Sequence, residues 1–248
     1  MAYRQEQYQR AYVLHLRPYR DNARLVNLLT ENDGHVSAVV YTSSSGKNSK
    51  LGSLQPFSLL QVSLQGAGSL PILNKIERAE KSLNLQSQYL YSGFYLNELL
   101  VRLLPENISL DCLFADYHRT LLAFTQQNTL EPLLRQFELA LLEELGLGLD
   151  FSTLESSLAE PEPTQQAVSL THPIQWYCYH KEQGFLLASA NAKMAVYNGQ
   201  HLLAIAHGNL TEGDVLLTCK RLMRQVLFEL LGGKPLNSRR LFASAFKQ

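Results

Sequence analysis

Long apolar runs are missing from this sequence. No segment approaches the roughly 18 residues that a membrane-spanning helix needs, and the opening MAYRQEQYQRAY has no apolar core of the kind a secretory leader carries. Cysteine is scarce: Cys112, Cys178 and Cys219 are far apart and odd in number, which fits a reducing cytosol better than a disulfide framework. Net charge is missing as well, because 22 Lys and Arg balance 22 Asp and Glu, so overall charge does not mark a binder of polyanions. Apolar side chains are not in short supply. They make up 46% of 248 residues, enough for a substantial core, and they exclude wholesale disorder.

The motifs of catalysis are absent too. YTSSSGKNS (41–49) lacks the first glycine of a phosphate-binding loop and has Asn48 where a magnesium-binding hydroxyl is required. Gly66-Ala67-Gly68 is a glycine pair in a turn without the third glycine of a dinucleotide fingerprint. Neither G-x-S-x-G nor H-E-x-x-H occurs. Cys178 and His180 would share one face of a strand near His172, but a structural zinc site takes paired ligands such as C-x-x-C, so no metal or cofactor is expected. Asp111 with Asp116, or Glu143 with Glu144, could be read as paired carboxylates, yet acids this dense on helices form solvated faces. The chain is therefore not expected to be an enzyme.

What is present is a charge pattern hidden by the balance. Residues 1–50 carry seven cations against four acids, residues 83–170 three against twelve, and residues 211–248 seven against three. Two basic ends flank an acidic middle, and it is local charge that a polyanion meets within a Debye length of about 10 Å.

The first ~80 residues have strand periodicity. A β-rich core at Tyr12–Leu16 closes at Pro18, ARLVNLLTE and HVSAVVY flank the turn Asn32-Asp33-Gly34, and LQVSLQ and LPILNKIERAE follow after a polar segment at 42–53. Five short strands predict a small barrel, with the OB-fold as a candidate. The period then changes to that of helices. One is predicted over 87–104 and ends at Pro105. A second is capped by Ser109, and a third is capped by Thr129 and ends at Gly146. Residues 152–170 are polar with prolines, WYCYH and GFLLASA are predicted strands, and Thr211 with Asp214 predicts a capping box for a helix over 215–231. LGGKPLNSRRLF (231–242) ends that helix at its glycines, turns at Pro235, and restarts with Asn237 or Ser238 as cap, placing Lys234, Arg239 and Arg240 at a fixed corner.

Four stretches carry a family resemblance: AYVLHLRPYRDNARLVNLLTENDG (11–34), YSGFYLNELLVRLL (91–104), LLRQFELALLEELGLGLDF (133–151) and LGGKPLNSRRLF (231–242). In this order the sequence resembles the bacterial RecO recombination mediators. The resemblance implies an α+β chain: an N-terminal five-stranded OB-fold barrel for DNA (1–82), an α-helical domain (83–151 and 211–248), and a small β-containing insert (152–210). It implies DNA repair and recombination at the nucleoid, through binding of single- and double-stranded DNA and annealing of complementary strands. The implied partners are RecR, often RecF, and the acidic C-terminal tail of the single-strand-binding protein, with RecA loading as the outcome and no membrane involved. Many relatives carry two cysteine pairs in the insert. Here it has Cys178 alone, so the insert is expected to be a degenerate zinc module without metal.

Phosphate contacts are expected from Arg17, Arg20, Arg24, Lys47 and Lys50 on the barrel and from Lys220, Arg221, Arg224, Lys234, Arg239 and Arg240 near the C-terminus. Tyr12, Tyr19 and Tyr41 are either stacking platforms or core. The partner tail is expected at Arg119 and Arg135, with Arg102 and Tyr117 near them; the alternative for these arginines is pairing with neighbouring acids. A scaffold that binds proteins and little DNA is the rival functional class.

Overall fold

The computed structural model describes residues 8–41, 50–66, 68, 70–110, 112–154, 175–189 and 192–245, with backbone alone for residue 50 and for 242–245. Two compact units are present: residues 1–130 with 235–248, and residues 131–234.

The first unit holds five strands, β1 (Tyr8–Arg20), β2 (Ala23–Thr30), β3 (Gly34–Tyr41), β4 (Leu60–Gln65) and β5 (Ile72–Arg78), with a short helix α1 (Lys50–Ser53) between β3 and β4. They close in the order β1-β2-β3-β5-β4, the OB topology expected from the sequence. Every pairing is antiparallel except β3 with β5, which meet in parallel at Val39 and Ile72. Alternation sorts the side chains: Val13, Val26, Leu28, Val36, Ala38 and Val62 fill the interior. At the start of β3, Gly34 has φ of +66°, and a Cβ there would collide with the Ile108 carbonyl, so both conformation and space demand glycine.

Barrel closure needs a bend in β1, which pairs with β4 through Tyr8–Ala11 and with β2 from Ala11 to Arg20. The bend is a bulge: Val13 faces Leu28 and His15 faces Asn27, leaving Leu14 as the extra residue. Two helices pack outside the barrel, α2 (Ser87–Leu103) and α3 (Leu113–Thr125). From α2, the buried Asn97 donates through Nδ2 to the Leu14 carbonyl at 3.1 Å, and its Oδ1 accepts from the Tyr117 hydroxyl of α3 at 2.5 Å. One amide thus satisfies the bulged strand and both helices. Tyr12 packs edge-on against Tyr117, and its hydroxyl lies 2.6 Å from His118 Nδ1. Burial raises the Tyr12 pKa, so this hydroxyl stays protonated. Tyr12 is therefore core and not a stacking platform.

The helices lie close to their expected spans, with two differences at the caps. Helix α3 starts at Leu113 with Cys112 at the N-cap and no side-chain cap, so Ser109 does not open it. The helix predicted after Thr211 starts at Gly213 with Glu212 at its N-cap. The Thr211 hydroxyl is turned to Asn209 Oδ1 instead, so no capping box forms.

The second unit contains α4 (Leu130–Glu144, all but its first residue), a three-stranded antiparallel sheet, α5 (Gly199–Ala206) and α6 (Gly213–Leu230). The sheet order is β7-β6-β8, with β6 at Trp176–His180, β7 at Gly184–Leu187 and β8 at Val196–Asn198. Strand β8 and helix α5, which Asn198 caps by accepting from the Gln200 N–H at 2.8 Å, were not among the expected elements. Residues 155–174, and with them His172 and most of the predicted polar segment, lie outside the described residues.

Asn97→Ala is expected to destabilise the first unit by about 2–4 kcal/mol, because it strands a buried carbonyl and a buried hydroxyl together. Tyr117→Phe should cost less, and the double variant less than the sum, when urea midpoints are compared.

Candidate nucleic-acid interface

The outward side chains of β1, β2 and β3 form rows set by strand register. Tyr12, Leu29 and His35 make one row, against which the aromatic residues of α3 pack at Tyr12. His15, Asn27 and Ser37 make the next, and Arg17, Leu25, Val39 and Ile72 the third. The helices do not cover this last row fully: Ile72 is exposed, and so are Tyr19 and Tyr41 at the adjoining strand ends, Tyr41 to 53%.

The middle row is a polar network. Asn27 Nδ2 donates to Ser37 Oγ at 2.8 Å and lies 3.2 Å from His35 Nε2, and Ser37 Oγ donates to the Glu106 carboxylate. Glu106 arrives there because Pro105 stops α2. Leu104 is extended, as a residue before proline should be, and the chain pairs with β3 through the Asn107 N–H and the His35 carbonyl at 2.8 Å. Burial lowers the His35 pKa more than its contacts with Leu104 and Glu106 raise it, so His35 is neutral near pH 7.

The expected cations differ in exposure and in their neighbours. Arg17 and Arg20 are exposed on β1, with the Arg20 guanidinium 5.1 Å from the Tyr19 ring centre, and Arg24 is half-buried at the barrel rim. Lys47 lies outside the described residues, as does the side chain of Lys50. On α6, Lys220 is held by Glu131 at 2.6 Å, whereas Arg221 lies over the Tyr197 ring at 5.6 Å and Arg224 is exposed. Lys234 is exposed just after the helix, which Gly232 and Gly233 terminate with φ of +66° and +71°.

Arg239 and Arg240 lie in the first turn of α7 (Ser238–Ala245), half-buried and exposed respectively. Asn237 stands at the N-cap position of this helix, where its carbonyl accepts from the Arg240 N–H at 2.9 Å, and Ser238 is the first helical residue. Both of their backbone N–H groups donate to the Glu98 carboxylate of α2, at 2.8 and 2.7 Å, which places a negative charge on the positive end of the helix dipole. Arg102, 3.6 Å from Glu98, also donates to the Pro235 carbonyl at 3.0 Å. Arg102 is thus part of a clamp on the C-terminal segment. Burial would raise the Glu98 carboxyl, but the hydrogen bonds from Ser238 and Asn237 and the charge of Arg102 together hold it below its ordinary value.

The four residues expected at a tail site have different surroundings, three in the first unit and Arg135 in the second. Tyr117 is fully buried, and Arg119 is exposed on α3 and paired with Asp116. Arg135, in the second unit, is only 6% exposed and pairs with the fully buried Glu138 at 2.8 Å. Cys219, where burial pushes the thiol up to about 12, shares that interior. What the sequence reading missed is a stripe on α6. Leu217, Arg221, Arg224 and Phe228 follow one another at helical spacing and are all exposed, Leu217 to 56% and Phe228 to 49%. The signal was available: two large apolar residues fall off the buried Val215–Leu222–Val226 stripe.

Among the described residues no three His, Cys, Asp or Glu side chains are grouped as metal ligands, and no helix is long and apolar enough to cross a membrane. The barrel and its appended helices define an OB-fold protein whose exposed cations lie on both compact units. Two family models cover most of it: the recombination protein O N-terminal model matches residues 3–81, and the C-terminal model residues 86–157. Relatives named DNA repair protein RecO match over 94% of this chain. That of Cellvibrio japonicus is 41% identical over 95% of its own length, and that of Psychromonas ingrahamii 39% over 97%. The chain belongs to the RecO family.

Two outcomes follow from this geometry. Arg135→Ala should destabilise the protein by about 3–5 kcal/mol in denaturant titrations, because it strips a buried carboxylate of its cation. The depressed Glu98 carboxyl contributes stability above its unfolded value near 4.5 and loses it as pH falls through the folded value. The gap in thermal midpoint between wild type and Glu98→Gln should therefore be open at neutral pH and close in acid.

Proposed function

We propose that this chain is a DNA repair and recombination mediator. It binds single- and double-stranded DNA, anneals complementary strands and, with RecR and RecF, helps RecA load onto DNA coated with single-strand-binding protein. The observation that carries the reading is family membership over most of the chain, combined with a barrel whose outer face keeps arginines and tyrosines in solvent. Annealing requires no bond chemistry. It requires two polyanions held close with their repulsion screened, and exposed cations on each compact unit give one chain two places to hold phosphate. The contacts are assigned to Arg17, Arg20 and Arg24 on the barrel, to Arg221, Arg224 and Lys234 on and after α6, and to Arg239 and Arg240 on α7.

The acidic tail of the single-strand-binding protein is the proposed peptide partner. The buried Arg135 and Tyr117 are already committed to interior contacts, so the α6 stripe suits such a tail better: Leu217 and Phe228 offer apolar contact, and Arg221 and Arg224 lie between them for carboxylates.

With a labelled oligonucleotide and a salt series, Arg20, Arg221, Arg224 and Arg240 changed together to Ala should lower affinity. The plot of log K against log[salt] should flatten by roughly one slope unit for each phosphate no longer neutralised. Unchanged affinity and slope would place the phosphate contacts elsewhere.

A further inference from the structure

Beside the polar row of the barrel lies a groove of about 560 Å³, bordered by Arg17 alone of the expected phosphate contacts among the described residues. Its volume falls within the roughly 300–1,000 Å³ typical of small-ligand sites. Asn27, Ser37 and Glu106 line one part of it, Leu25, Leu70 and Val101 supply apolar walls, and Arg17 and Tyr19 also border it.

The charge of the groove argues against a phosphate inside it. Glu106 puts a carboxylate into the space, and the nearby His35 is neutral. Arg17 is the one arginine or lysine among the described lining residues. A phosphate bound deep in the groove would meet like charge, whereas one at Arg17 would not.

The hydrogen-bonding groups point the same way. Asn27 has committed its amide nitrogen to Ser37 and His35, which leaves Oδ1 as its remaining acceptor, and Ser37 has committed its hydroxyl hydrogen to Glu106. The network therefore offers acceptors: a carboxylate and an amide oxygen. The complement is a flat, largely apolar group that presents N–H donors at its edge and joins a phosphate a few ångströms away.

We propose that this groove is a nucleobase pocket on the barrel. In it Glu106 and Asn27 accept from the exocyclic amino group of a base, Tyr19 stacks on the ring, and Arg17 takes the adjoining phosphate. The pocket rests on the DNA-binding reading and adds to it a preference that phosphate contacts cannot supply. Cytosine, with its N4 amino donor, is favoured over thymine, whose O4 at the same position would face the carboxylate. The carboxylate is the discriminating group and Ser37 its positioning residue.

The test compares dC15 with dT15 at neutral pH and fixed salt, for wild type and for Glu106→Gln. The glutamine side chain keeps an oxygen for Ser37 and can turn a donor toward thymine O4. The ratio of dC15 to dT15 affinity should be at least threefold higher in wild type than in the variant, with matching thermal midpoints showing that both are folded. Because it is a ratio of ratios, general differences in strand flexibility cancel. Tyr19→Ala should weaken both oligonucleotides together. A ratio unchanged by Glu106→Gln overturns the pocket while leaving DNA binding intact. Absence of binding to either oligonucleotide overturns the DNA-binding reading, and the pocket with it.

Discussion

The first compact unit depends on how the bend in β1 is satisfied. A five-stranded barrel closes only if one long strand serves two neighbours, and the bulge that permits this leaves Leu14 without its ladder partner. An unpaired carbonyl under two helices would be costly. Asn97 resolves it, and because its other end accepts from Tyr117, the same amide fixes α2 and α3 against the barrel. Register then follows for the whole outer face. Tyr12 lies beneath the helices, His15 and Asn27 fall at their margin, and Arg17 and Tyr19 remain in solvent.

The same arrangement separates charge by purpose. Where α2 ends at Pro105, Glu106 enters the polar row of the barrel, and where α2 passes the C-terminal segment, Glu98 caps α7. Acids are thus placed where they organise backbone and side-chain donors, and several cations of the two basic segments are left exposed. The acidic middle of the sequence is in part structural. Glu98, Asp116, Glu131 and Glu138 each hold a named cation or backbone N–H.

Much of this was legible in the residues. Alternation in the first ~80 residues predicts the strands, and Asn32-Asp33-Gly34 predicts its turn, because these are local steric and burial effects. The helix stops at Pro105, Gly146 and Gly232 were legible for the same reason. The caps of α3 and α6 were not, because Ser109 and Thr211 have the right chemistry but do not cap. Nor was the partner of the first N–H groups of α7, a carboxylate 139 residues away in sequence, which no local pattern encodes. The arginines show the same limit. Arg119, Arg135 and Arg102 look alike in sequence, but they are respectively an exposed i,i+3 pair, a buried ion pair and a clamp on Pro235, and only tertiary burial distinguishes them. Family resemblance supplied the function, since phosphate binding needs cations at a surface and sequence alone does not place them there.

Strand annealing tests the mediator role most directly. Complementary oligonucleotides coated with single-strand-binding protein would be mixed with and without this chain, and duplex formation followed by fluorescence quenching. Clear acceleration that weakens as salt is raised is expected, because screened phosphate repulsion is the physical basis of annealing. Annealing no faster than the coated strands alone, at salt low enough for binding, would contradict the mediator role.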